Sequence, residues 1–125
     1  MAEDQNIETV KGLWRAFSRG GIDSVLNIVD EEVEWIPYGG GGHTFRGRDG
    51  LRRFIRERKT QQGDVVAEPF GYGDYGENVI VYGHVVRGED DQRVFWVYSF
   101  HGGRLRRFEA FTDQDAAVAA AMTAL

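Results

Sequence analysis

The chain has 125 residues, enough for one domain around one core and too few for a second. Fifteen basic against twenty acidic residues leave a net charge of −5, which argues against general affinity for nucleic acid or a membrane surface. The absence of cysteine excludes disulfides, thiolate nucleophiles and zinc–cysteine sites.

In chain order, Ile7, Val10, Leu13, Trp14 and Phe17 recur at helical spacing, with Glu8, Lys11, Arg15 and Arg19 opposite and a stop at Gly20-Gly21. Asp23 reads as the N-cap of a second short helix carrying Val25, Leu26, Ile28 and Val29. Glu32 to Tyr38 predicts a strand closed by Pro37, Gly39 to Gly42 a flexible loop, and His43 to Arg46 a short extended piece. Asp49 is placed to cap a third helix that buries Leu51, Phe54 and Ile55. The period then changes from helical to alternating. Val65–Tyr75, Asn78–Arg87, Arg93–His101 and Arg104–Thr112 read as an antiparallel meander, with hairpin connections at 88–91 and 101–103. Thr112 to Asp115 caps an alanine-rich C-terminal helix. Helices gathered on one face of such a sheet predict an α+β fold: a curved antiparallel or mixed sheet under three helices, enclosing a conical hollow, with a short C-terminal helix. Residues 1–125 read as one domain. The polar Met1–Asn6 stretch lacks the features of a signal peptide and no window is apolar enough to span a bilayer, so a cytoplasmic protein is expected.

The segments VKGLWRAFSRGGIDSVL (10–26), DEEVEW (30–35), FRGRDGLRRF (45–54) and GRLRRFEAFTD (103–113) resemble the nuclear transport factor 2-like superfamily, and within it the SnoaL-like branch related to polyketide cyclases and ketosteroid isomerases. The resemblance implies a cystatin-like roll, a hydrophobic cyclic ligand of polyketide, terpene or steroid type, no cofactor, and a homodimer formed through the exposed sheet face. Catalytic groups do not carry over. The isomerases' base would fall at Ile36-Pro37-Tyr38, where no acid stands; their oxyanion tyrosine falls on Trp14 and their protonated aspartate on Trp96. The carboxylate of limonene epoxide hydrolases and cyclases falls at or beside Ala110, whose neighbour Glu109 should face the other way. The epoxide hydrolases' arginine–aspartate pair falls near Gly83 and Val85, with His84 between them.

Other motifs fail on context. GYGDYG at 71–76 matches the letters of a dinucleotide fingerprint but leads into a strand rather than a helix. His43, His84 and His101 lack metal-ligand spacing, so no metal is expected. The remaining acid–base candidates are His84, which shares a strand face with Ile80, Tyr82 and Val86, and the carboxylates Glu34 and Glu109. The competing reading is a hydrogen-bonded sheet histidine and two salt-bridged strand residues, with Arg53 or Arg107 as partner. Trp14, Trp35, Tyr38, Phe54, Trp96, Tyr98 and Phe108 are candidates to line the hollow, against the alternative of ordinary core packing. Arg46, Arg48, Arg52, Arg53, Arg56, Arg58 and Lys59 form a basic cluster, read as a solvated helix face or as a site for an anionic ligand or acidic partner.

Two functions follow. One is a domain holding a hydrophobic small molecule, with cofactor-independent isomerisation, cyclisation, hydration or dehydration by acid–base catalysis. The other is a non-catalytic ligand-binding or dimerising module of the same fold.

Overall fold

The amphipathic pattern of the first segment becomes helix α1 (Ala2–Arg19), whose Val10 and Leu13 are fully buried. A computed structural model describes residues 2–19, 26–38, 43–61 and 65–123 of the chain. After α1 come β1 (Val29–Ile36), β2 (Phe45–Arg46), α2 (Gly47–Gln61), β3 (Val65–Tyr75), β4 (Asn78–Arg87), β5 (Asp90–His101), β6 (Arg104–Phe111) and α3 (Gln114–Thr123). The expected cap Asp23 and the glycine run 39–42 lie outside the described residues, as do the side chains of Phe17, Arg58 and Lys59.

Several boundaries differ from the expectation; β5, for one, begins at Asp90 rather than Arg93, inside the connection expected at 88–91. Val29, placed on a helix by its apolar neighbours, is the first residue of β1, and only Leu26 in the described part of that segment is helical. A short run of apolar residues suits a buried strand as well as a helix, and here strand pairing decides: Val29 lies in register with Leu105 of β6. Helix α2 starts at Gly47, two residues before Asp49, which sits in its first turn and meets Arg52 at 2.8 Å.

The six strands form one curved mixed sheet in the order β2-β1-β6-β5-β4-β3, so the fold is α+β as expected. The meander from β3 to β6 is antiparallel throughout, and the sheet is mixed because β1 runs parallel to β6. The hairpin between β5 and β6 turns on Gly102 and Gly103, both at positive φ, which is the backbone a two-residue type I′ connection requires. Asp113 ends the sheet and starts α3: its carboxylate accepts the Ala116 N–H at 3.0 Å and its carbonyl the Ala117 N–H.

Each face of the sheet has its own core. On the inner face, Val33 and Trp35 of β1, Val79 and Val81 of β4, Val94, Trp96 and Tyr98 of β5 and Phe108 of β6 meet α1 and α2. Helix α1 packs on β3 and β4 while α2 packs on β1 and β2, so the two helices straddle the central strands β5 and β6. On the outer face, Ile80, Phe95 and Val97 are covered by Ala117 and Ala121 of α3. The chain thus covers part of its outer face itself, and leaves Val66 and Phe70 of β3 exposed there. Among the described residues, no helix is long and apolar enough to cross a membrane.

Candidate ligand site between the helices and the sheet

Six of the seven aromatic candidates come together on the inner face. Trp35 stacks on Phe108 with ring centroids 4.0 Å apart, and Phe108 meets Tyr98 edge-on at 5.0 Å. Phe54 of α2 leans on Trp35 at 5.9 Å, and Trp14 of α1 meets Trp96 edge-on at 4.9 Å. Alternation along each strand explains the gathering: Trp35, Phe108, Tyr98 and Trp96 all occupy inner-face positions, and Tyr98 lies opposite Phe108 in register. Tyr38 is not part of the group; it lies beyond the end of β1, 42% exposed. Two surface depressions, of about 530 Å³ each, lie elsewhere, and neither is lined by an aromatic residue.

The sequence reading missed Tyr72. Counted by alternation from Glu68, it belongs on the outer face, but a register shift between Pro69 and Gly71 inverts the parity of β3 and turns Tyr72 inward, opposite Val81. The ammonium of Lys11 lies 5.3 Å from the centre of its ring. Burial raises the Tyr72 hydroxyl above its ordinary pKa, and the nearby Arg15 guanidinium opposes that shift. Tyr98 is more extreme. Burial drives its pKa far up, the nearby Tyr72 adds to this, and the neighbouring Trp14 indole opposes the rise. Tyr98 therefore stays a neutral phenol at any physiological pH.

The three acid–base candidates are all on the other side of the sheet. His84 shares the outer face with Ile80 and Tyr82, as its position in the strand implies, and that face is not the one the aromatic rings occupy. Its Nδ1 lies 2.8 Å from Asp91 and its Nε2 3.0 Å from Glu68, and its ring leans on Phe70 at 4.5 Å. The hydrogen bond to Glu68 raises its pKa first, desolvation opposes, and Asp91 adds to the rise, so the imidazolium is favoured. Glu34 accepts from Arg46 at 2.7 Å and Glu109 from Arg107 at 3.0 Å. Ala110, not Glu109, takes the inner-face position opposite Trp96. Among the described residues, no three histidine or acidic side chains are grouped as a metal site would need. His101 sits exposed beside the β5–β6 turn, as expected.

A model of the SnoaL-like domain matches residues 10–108, most of the chain. The chain belongs to the SnoaL-like family. No curated protein sequence matches this SnoaL-like domain. Among solved structures it is similar to a nuclear transport factor 2-like protein of Burkholderia pseudomallei, at 27% identity, with 92% of this chain and 95% of the other covered and a TM-score of 0.73. It is also similar to TerC co-crystallised with polyporic acid, at 25% identity over 90% of this chain and 94% of that one, with a TM-score of 0.73. A putative SnoaL-like polyketide cyclase from Jannaschia sp. CCS1 shares the fold at 18% identity, covering 97% and 94% of the two chains with a TM-score of 0.73. Within this SnoaL-like domain, Trp14 and Trp96, which stand where the resemblance places an isomerase's two oxyanion donors, touch each other, and Tyr98 provides a hydroxyl two residues further along the same strand face.

Proposed function

We propose that this SnoaL-like domain binds a hydrophobic cyclic small molecule of polyketide, terpene or steroid type in the seam between α1 and α2, over the rings of β5 and β6. The observation that carries this reading is Tyr98. Its ring is buried among aromatic rings, it lies beside Tyr72 and Trp14, and burial keeps its phenol protonated, so it offers a neutral hydroxyl at the inner face. A neutral phenol in such surroundings can donate to a carbonyl or hydroxyl oxygen on an apolar ligand, a hydrogen bond worth about 1 kcal/mol. TerC, similar to this chain at 25% identity, was co-crystallised with polyporic acid, which supports a small-molecule ligand for the fold.

The seam binds and polarises rather than shuttling protons. A neutral tyrosine donor stabilises negative charge developing on a ligand oxygen, as isomerisation, cyclisation or dehydration requires. His84, Glu34 and Glu109 are on the far face of the sheet, so the acid–base chemistry expected of them has no route to this seam. The alternative reading, a non-catalytic module that pairs with a second copy, is favoured by a separate observation: Phe70 and Val66 are 66% and 51% exposed on the outer face beyond the cover of α3.

Thermal shift against oxygenated steroid, terpene and polyketide panels tests the ligand reading, because a ligand that binds only the folded state raises Tm. The expected result is a rise with at least one oxygenated cyclic compound, weakened about tenfold in affinity by Tyr98→Phe through the lost hydrogen bond. Silence across all three panels, or equal affinity in Tyr98→Phe, overturns it.

A further inference from the structure

The basic cluster of the sequence is not spread evenly over α2. Part of it converges on a depression of about 530 Å³ between the free edge of β2 and the first turns of α2, lined by Thr44, Arg46, Asp49, Gly50, Arg53 and Arg56. That volume is in the range of small-molecule sites. Three guanidinium groups share it with one carboxylate, in a protein whose net charge is −5. The carboxylate is drawn aside, since Asp49 Oδ1 accepts from Arg52 at 2.8 Å. Arg46 at the rim is held by Glu34 at 2.7 Å, which fixes the position of its guanidinium while leaving its other nitrogens available. Among the described residues, neither Arg53 nor Arg56 meets a carboxylate. Arg53 is oriented instead by an aromatic platform, with its guanidinium carbon 5.3 Å from the centre of the Phe45 ring. Two arginines without counter-ions, one turn apart on a helix and flanking a cleft, are arranged to receive an oxyanion.

We propose that this cleft is a binding site for a phosphate-bearing small molecule, with Arg53 and Arg56 as its principal contacts and Arg46 at its rim. Arginine suits a tetrahedral dianion because its planar fork can donate two parallel hydrogen bonds to it. The cleft is larger than the anion alone, so an organic phosphate ester fits better than inorganic phosphate. The site is separate from the seam around Tyr98, and neither depends on the other.

The test is a titration of the protein with inorganic phosphate, pyrophosphate and phenyl phosphate at constant ionic strength, followed by amide and arginine Nε–Hε signals in nitrogen-15 spectra. The proposal expects saturable shifts at Gly50, Arg53 and Arg56 with all three probes, tightest for phenyl phosphate. Arg53→Gln with Arg56→Gln should weaken binding by at least about tenfold, from the loss of charge-assisted hydrogen bonds. Both side chains are solvent-exposed, so the double variant should keep its melting temperature. Tyr98→Phe should bind the phosphates as the parent does, which separates this site from the ligand reading. Shifts that grow linearly without saturating, or a double variant with unchanged affinity, overturn the proposal.

Discussion

Two glycines one strand apart offer a differential test of how the aromatic seam is assembled. Gly83 lies in the middle of β4 on the inner face, opposite Pro69 of β3 and Val94 of β5. A Cβ built there would stand 2.2 Å from the Glu68 carbonyl oxygen and 2.8 Å from a ring carbon of Trp96. The first of these is backbone, so relief requires β3 and β4 to part locally by roughly 0.8 Å to reach even the 3.0 Å limit of real contacts. The second pushes Trp96 out of its edge contact with Trp14. Overpacking of this kind costs about 3 kcal/mol at the upper end of its usual range, offset by about 0.5–1 kcal/mol from the lower unfolded-state entropy of alanine. Gly83→Ala should therefore lose about 2 kcal/mol. At Gly71 a Cβ would meet nothing within 4 Å and φ is not positive, so Gly71→Ala has only the entropy gain and should be neutral or stabilised by about 0.5 kcal/mol. Urea unfolding with an unchanged m value gives both numbers, and at about 4 °C per kcal/mol the two variants should melt roughly 10 °C apart. Tryptophan emission should shift in Gly83→Ala alone. If the two variants lie within about 1 kcal/mol of each other, close approach at Gly83 is not what seats Trp96, and the packing argument fails.

Three further outcomes follow from the outer face. His84 has a folded-state pKa raised above 6.5, so its contribution to stability is fully present below that value and is lost as pH rises through the higher folded-state pKa. The urea midpoint should fall across that window, and His84→Gln should flatten the fall. Asn78, fully buried, donates to the Ala121 carbonyl at 2.7 Å and accepts the Phe100 N–H at 3.3 Å, tying α3 to the sheet. Asn78→Ala should cost about 2–4 kcal/mol, with hydrogen exchange quickening first in α3. If the exposed part of the outer face pairs two copies, sedimentation at micromolar concentration should give a dimer that Phe70→Glu converts to a monomer. A parent that sediments as a monomer refutes the pairing.

The fold was legible because its signals were local and repeated. The helical spacing of Val10, Leu13 and Trp14, the alternation through β4 and β5, and the glycine turn at 102–103 each depend on residues close in sequence, and all agree. Val29 was misplaced because its secondary structure is set by Leu105, far along the chain.

The site was less legible, and the reason is parity. In a strand, a residue's chemistry matters only once its face is known, and face depends on register shifts that a single sequence does not reveal. Alternation correctly linked His84 to Ile80 and Tyr82 and set Glu109 opposite to Ala110. It could not say which of those faces α1 and α2 cover. One shift at Pro69–Gly71 was enough to hide Tyr72 from the inner set. The consequence reaches function. Read by residue type alone, the titratable groups His84, Glu34 and Glu109 were the natural chemical centre of the molecule. Read by face, they form ion pairs on the far side of the sheet, while the polar groups of the seam are phenols and indoles. Those groups hold a single protonation state at physiological pH, so their contribution to a bound ligand is directional hydrogen bonding. Selectivity in the seam should accordingly follow the placement of the ligand's oxygen atoms far more than its charge.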